Sequence, residues 1–225
     1  MKILNLILIA SSFCLLLACQ TANKDTAAVQ TAKAAVNPVQ TQPTKDGHAK
    51  AYFASGCFWC VEAIYESVKG VKESISGYAG GHTDNPTYES SNTGRTGHAE
   101  AVEIIYDPEV VDFATLVDVY FGSQNVTQVN GQGNDRGSQY RSIIFYQNET
   151  EKKIIDDKVA ALNKELAPKK VAAEIMPHTT FWVGEEYHQN YERLHPDNPY
   201  IRGVSVPRLK KFQAKFPHLI KEDGH

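Results

Sequence analysis

The chain has 225 residues, a formal net charge of −3, 42% hydrophobic and 22% charged residues. These are the proportions of an ordinary globular protein, and the weakly acidic balance offers no basic surface to nucleic acid. The four cysteines divide two and two: Cys14 and Cys19 lie in an apolar N-terminal segment, Cys57 and Cys60 in the remainder.

Residues 1–19 read MKILNLILIASSFCLLLAC. Lys2 supplies a positive n-region and Ile3 to Leu17 an apolar h-region, short for a membrane span and suited to an export signal. The ending Leu16-Leu17-Ala18-Cys19 resembles the lipobox of bacterial lipoproteins, which implies cleavage before Cys19 and acylation of that cysteine. Gln20 follows where, by the same resemblance, an aspartate would favour inner-membrane retention. The expectation is an exported protein, lipid-anchored in the bacterial cell envelope at the outer membrane and facing the periplasm. Residues 20–49 carry no aromatic side chain and too little apolar surface to order themselves. They are read as a disordered tether with a reach of roughly 30 Å.

From residue 51 the pattern changes. Ala51-Tyr52-Phe53-Ala54 reads as a strand, Gly56 as a sharp turn, and Val61, Ile64, Tyr65 and Val68 as one face of a helix. Cys57 then sits at or just before a helix N-terminus, where free N–H groups and the dipole favour thiolate. Cys60 follows one turn later, at a spacing a disulfide can bridge. Val71–Tyr78 is a second strand, and 79–98 a long Gly/Asn/Thr loop of the kind that is functional or disordered. Ala99–Asp107 is a strand whose alternation turns Glu100 the same way as Val102 and Ile104, making it a buried acid with a raised pKa.

Pro108 opens a helix with a Phe113, Leu116, Val117, Tyr120, Phe121 stripe; 122–139 is a second long loop; Tyr140–Tyr146 is a strand. Asn148 and Glu151 form a capping box for the helix bearing Ile154, Ile155, Val159 and Leu162. Val171–Met176 is a further strand, Glu185–Leu194 a short helix and Pro207–Phe216 another. The order β-α-β-β-α-β-α-β predicts an α/β (α+β) fold, a two-layer α/β plait with a ferredoxin-like βαββαβ core, a mixed sheet and long coils. The domain is bounded at 50–217, with 218–225 as a C-terminal tail.

A structural staple across Cys57–Cys60 would contribute on the order of 2 kcal/mol, against about 4.7 for a loop of 100 residues. No second CxxC or paired-His motif completes a zinc site, and His188 and His195 read as surface or loop histidines. A redox dithiol remains. A thioredoxin-like thiol–disulfide oxidoreductase is one class. Phe58 and Trp59, however, set two aromatic rings beside the nucleophile, which suits a pocket for an apolar group better than a flat docking face.

The motifs GCFW at 56–59, NPTYE at 85–89, TGHAEAV at 96–102, QGNDRGSQYRS at 132–142 and GEEYHQNY at 184–191 together resemble the A-type peptide methionine sulfoxide reductases over about residues 51–201. The resemblance implies attack of the Cys57 thiolate on the sulfoxide sulfur. Glu100 would be the proton donor, Tyr88 and Tyr140 would hydrogen-bond the oxygen, and Phe58 and Trp59 would hold the S-methyl group. Asp135 is carried over as a residue that shapes the pocket or positions water, or caps its own loop. The S epimer is the implied substrate, in peptides and proteins, with repair under oxidative stress as the role. The family's distal C-terminal cysteine is missing, since no cysteine follows Cys60; relatives with GCFWC imply a Cys57–Cys60 disulfide, reduced by thioredoxin or a thioredoxin-like protein. No cofactor or metal is expected, and a monomer is. Gln124-Asn125-Val126-Thr127-Gln128 departs from the family's pattern, in a loop expected not to touch the chemistry. The competing readings are an envelope thiol–disulfide oxidoreductase acting on protein disulfides, and a binding module for oxidised peptides.

Overall fold

The computed structural model describes residues 36–222; the expected signal segment, Cys19, tether residues 20–35 and residues 223–225 lie outside them. In chain order the elements are β1 (Ala49–Ala54), α1 (Phe58–Glu66), β2 (Val71–Ala79), α2 (Tyr88–Asn92), β3 (Ala99–Tyr106) and α3 (Phe113–Gly122). There follow β4 (Gly131–Gln132), β5 (Asp135–Arg136), β6 (Ile143–Tyr146), α4 (Glu149–Leu166), β7 (Glu174–Pro177), β8 (Phe181–Val183), α5 (Tyr191–Leu194) and α6 (Val206–Lys215). The main sheet has the order β7-β6-β1-β3-β2-β8, and β4 and β5 form a separate hairpin. Its neighbours are antiparallel except β6 and β7, which run parallel. The inner order β6-β1-β3-β2 is the expected split βαβ core: α1 links β1 to β2, and β3 inserts between them.

β1 is central because both its faces are apolar. Phe53 and Ala51 join Val102 and Ile104 of β3 beneath Ile64 and Tyr65 of α1, Leu116 and Tyr120 of α3 and Phe212 of α6. Tyr52 and Ala54 face the other way with Ala101, Ile143 and Phe145. Phe53 stacks on Tyr65 at 5.1 Å between centroids, and truncating such a buried ring costs about 3–5 kcal/mol.

Several sequence expectations change. Residues 36–48 are not a loose tether: Val39 N–H donates to His178 O at 2.7 Å and Thr41 N–H to Gln147 Oε1 at 2.9 Å. Satisfying those backbone groups against the domain holds the segment without any apolar run of its own. The expected tail begins inside the domain, since Ile220 bridges Val68 and Leu219 and Ile220 pack on the core. The α3 helix starts at Phe113, not Pro108, because Asp112 caps it by accepting from Thr115 N–H at 2.7 Å. At α4 the Asn148 cap bond is present, but Glu151 returns its carboxylate to Gln147 N–H. Glu185–Leu194 is no single helix. Its chain is broken by Asn190 in the left-handed region (φ +55°), whose N–H is held at 2.6 Å by the Glu62 carboxylate.

Candidate active site

The strand-to-helix turn positions Cys57. Gly56 has φ +82°, and a Cβ there would lie 2.7 Å from the Gln132 Cβ, so both the conformation and the space call for glycine. Cys57 is the N-cap residue of α1 (φ −56°, ψ 125°), and Cys57 and Cys60 are free thiols. The first amide of the helix, Phe58 N–H, donates to Glu100 Oε2 at 3.0 Å. Thus β3 delivers a carboxyl group to the turn that carries the thiol. Glu100 is 2% exposed, and desolvation pushes its pKa up to about 8 against the lowering effect of the Phe58 bond.

This arrangement corrects one expectation. Burial pushes the Cys57 thiol up, and its hydrogen bond to Cys60 and the nearby negative charges add to that. The helix N-terminus does not prevail, because its leading N–H is spent on Glu100 and the sulfur is desolvated. Cys60 is held down at about 6: the Cys57 thiol donates to it, and Arg208, Ser205 and Tyr200 help against burial. The two sulfurs therefore titrate as a pair, with Cys57 pushed up and Cys60 pulled down.

An aromatic cup closes over the other side. Phe58 lies 4.7 Å from His188 and 6.4 Å from Tyr88 between centroids, and Trp59 stacks on Tyr191 at 3.7 Å and 7°. Tyr88 is carried by the short helix α2 inside the first long loop, capped by Thr87 and Ser90. Glu185 pins it, accepting from Tyr88 N–H at 2.9 Å and from the Tyr78 hydroxyl at 2.7 Å. Tyr140 stands on a helical turn (138–140) ahead of β6, not in the strand as expected. Burial is the main cause that raises both its phenol and that of Tyr88.

Two further expectations change here. His188 is not a surface histidine: it is 1% exposed, and Trp59 Nε1–H donates to its Nδ1 at 3.1 Å. Burial lowers its pKa, so the ring is neutral with its proton on Nε2, 3.8 Å from Glu185 Oε2. His195 is exposed as expected, stacked on Tyr191. Asp135 faces the Cys60 side: Tyr200 donates to its Oδ2 at 2.7 Å, and the same hydroxyl lies 3.6 Å from Cys60 Sγ. The departing loop, expected to be remote, is tied to Gln132 by Asn125 N–H and by Gln124 Oε1. With Cys60, Asp135 and Arg208 it borders a cavity of about 600 Å³ between the loop and α6.

Cys57, Phe58, Trp59, Cys60, Tyr88, Glu100, Asp135 and Tyr140 thus converge, whereas Cys19 lies outside the described residues. Sequence reasoning missed the parts played by Glu185, His188 and Tyr191, although the motif at 184–191 contains them. It missed Tyr200 and Arg208 altogether, for which no local signal exists. Arg208 spends its guanidinium on Ser123 O, Ser55 O and Ser55 Oγ at 3.0–3.1 Å. Among the described residues, no group of three or more His, Cys, Asp or Glu is placed to hold a metal ion.

The sequence profile of the family described as peptide methionine sulfoxide reductase matches residues 49–220. The peptide methionine sulfoxide reductase MsrA of Pasteurella multocida is 43% identical over 172 residues, 76% of this chain and 98% of that one. That of Saccharolobus solfataricus is 43% identical over 171 residues, 76% and 96%. Among solved structures, reduced Mxr1 from Saccharomyces cerevisiae superposes with a TM-score of 0.65 at 29% identity, covering 70% of this chain and 91% of that chain. Methionine sulfoxide reductase A of Corynebacterium diphtheriae gives 0.61 at 31%, covering 72% and 86%.

Proposed function

Because the chain belongs to the peptide methionine sulfoxide reductase family, we propose that its reduction of methionine sulfoxide runs through Cys57 and Glu100. The single observation that carries this reading is the Phe58 N–H···Glu100 bond, which ties a buried, neutral acid to the turn bearing the nucleophile. The proton shared by the two sulfurs moves to Cys60 as the Cys57 sulfur attacks the sulfoxide sulfur. Glu100 donates its proton to the oxygen while the Tyr88 and Tyr140 hydroxyls hydrogen-bond it. The oxygen passes to Cys57 as a sulfenic acid, and methionine leaves. The Phe58 and Trp59 rings take the S-methyl group. Methyl and oxygen then occupy different walls, and the S epimer is selected.

Cys60 next attacks the sulfenic acid, forming a Cys57–Cys60 disulfide and expelling water. The low pKa of Cys60, about 6, supports it in that role, since the attacking species is thiolate. A dithiol of the thioredoxin class then reduces the disulfide and is itself oxidised. Loss of sulfoxide from an oxidised peptide, compared among wild type, Cys57→Ser and Glu100→Gln, tests the reading. Wild-type rates in both variants would remove it. A thiol–disulfide oxidoreductase would have no use for a neutral Glu100.

The N-terminal sequence supports a further proposal, that Cys19 is lipidated and holds the enzyme in the bacterial envelope. Recovery of Cys19→Ala in the membrane fraction, in the same proportion as wild type, would refute the anchoring.

A further inference from the structure

The two cysteines have different surroundings. The aromatic rings gather about Cys57, a residue 6% exposed; Cys60 is 1% exposed and borders the cavity of about 600 Å³. Gln124 and Asp135 form one wall of that cavity, Arg208 and Lys211 the other. Cys57, Phe58, Trp59, Tyr88 and Glu100 take no part in its lining. Asp135, which accepts from the Tyr200 hydroxyl, sets one carboxylate against the two cations Arg208 and Lys211. The charged lining is therefore net positive, and the sulfur it borders is that of Cys60.

We propose that this cavity is the port for the reductant: a thiolate enters between the 124–135 loop and α6 and attacks Cys60 of the Cys57–Cys60 disulfide, while the sulfoxide enters by the aromatic cup. The proposal rests on the disulfide of the preceding section. Of the two cysteines Cys60 lines the cavity and Cys57 does not, so a nucleophile entering here meets Cys60 first and Cys57 becomes the leaving sulfur of the exchange. The incoming sulfur bonds to Cys60, the S–S bond breaks, and Cys57 departs and is protonated in its buried setting. A second thiolate attacks the mixed disulfide, releasing an oxidised reductant and Cys60 thiolate. Two thiols are consumed for one disulfide reduced. Arg208 and Lys211 draw in the negative sulfur, and an anionic thiol is favoured over a cationic one. The shared chemistry is a thiolate, supplied by a small anionic thiol or by a protein dithiol.

The test begins with full-length protein given one equivalent of oxidised peptide and no reductant, and the disulfide is read by mass. 3-Mercaptopropionate, cysteamine or reduced thioredoxin lacking its resolving cysteine is then added. The mixture is acid-quenched and the mixed disulfide located by fragmentation between Cys57 and Cys60. The port predicts the adduct on Cys60 with both small thiols, and with thioredoxin as well where a protein dithiol is the source, and faster regeneration by 3-mercaptopropionate than by cysteamine at equal thiolate concentration. It also predicts that Lys211→Glu lowers that ratio about tenfold. An adduct on Cys57, or a ratio that Lys211→Glu leaves unchanged, overturns the port while leaving the reductase reading intact. An adduct on Cys60 with the small thiols alone assigns the port to low-molecular-weight reductants. Failure to form any disulfide removes both.

Discussion

Two cysteines one helical turn apart sit in opposite environments. Cys57 faces aromatic rings and a neutral acid, and burial keeps its proton on. Cys60 is lowered to about 6, first by its hydrogen bond with Cys57 and then by Arg208, Ser205 and the Tyr200 hydroxyl against burial. The same helix carries both, so neither propensity nor the helix dipole makes the difference. What differs is the set of elements packed against each sulfur: β3 and α2 around Cys57, α6 and the second long loop around Cys60. The proposed mechanism rests on that division: Cys57 as the sulfur that attacks and Cys60 as the sulfur that resolves.

The largest test of that division is Cys57→Ser, which should lower sulfoxide reduction by on the order of 10⁴-fold or more, because no neighbouring group replaces the nucleophile. Glu100→Gln should lower kcat/KM by about 10²–10³-fold. The wild-type profile should be a bell, rising near 6 as Cys60 loses its proton and leaves one proton shared by the sulfurs, and falling as Glu100 ionises near 8. Glu100→Gln should lose the alkaline limb and keep the acid one; a surviving alkaline limb would assign it to another group. Cys60→Ser should still release one methionine per enzyme in a single turnover, but lose about tenfold or more of the thioredoxin-supported rate. Unchanged multiple turnover would erase the distinction between the sulfurs.

Arg208→Met should raise the Cys60 thiol and slow disulfide formation at pH 7 several-fold, with the acid limb moved to higher pH. Arg208→Lys keeps the charge and should hold the limb near its original place. The smallest effect concerns a second pair of buried acids. Glu62, on α1, has a pKa raised to about 7 by desolvation, yet its oxygens are held by Ser76 Oγ and Asn190 N–H. It is a structural counterpart of Glu100. In the fold it binds more protons than in the unfolded chain between its usual 4.5 and about 7. Its contribution to stability therefore declines as pH rises through that window. Glu62→Gln should flatten the fall of melting temperature between pH 5 and 7 and leave the Glu100 alkaline limb in place.

The amino-acid sequence alone determined the order of the core elements, the turn at Gly56 and the inward face of Glu100. Those features are local: period-two alternation, helical spacing and turn chemistry act within a few residues. Tertiary structure alone decided which sulfur carries the charge, the burial of His188 under Trp59, the docking of residues 36–48 and the break at Asn190. Each of these depends on partners far along the chain: Arg208 for Cys60, Trp59 for His188, His178 for Val39, Glu62 for Asn190. Desolvation and long-range hydrogen bonds follow from what the fold brings together, and no short stretch of sequence records them.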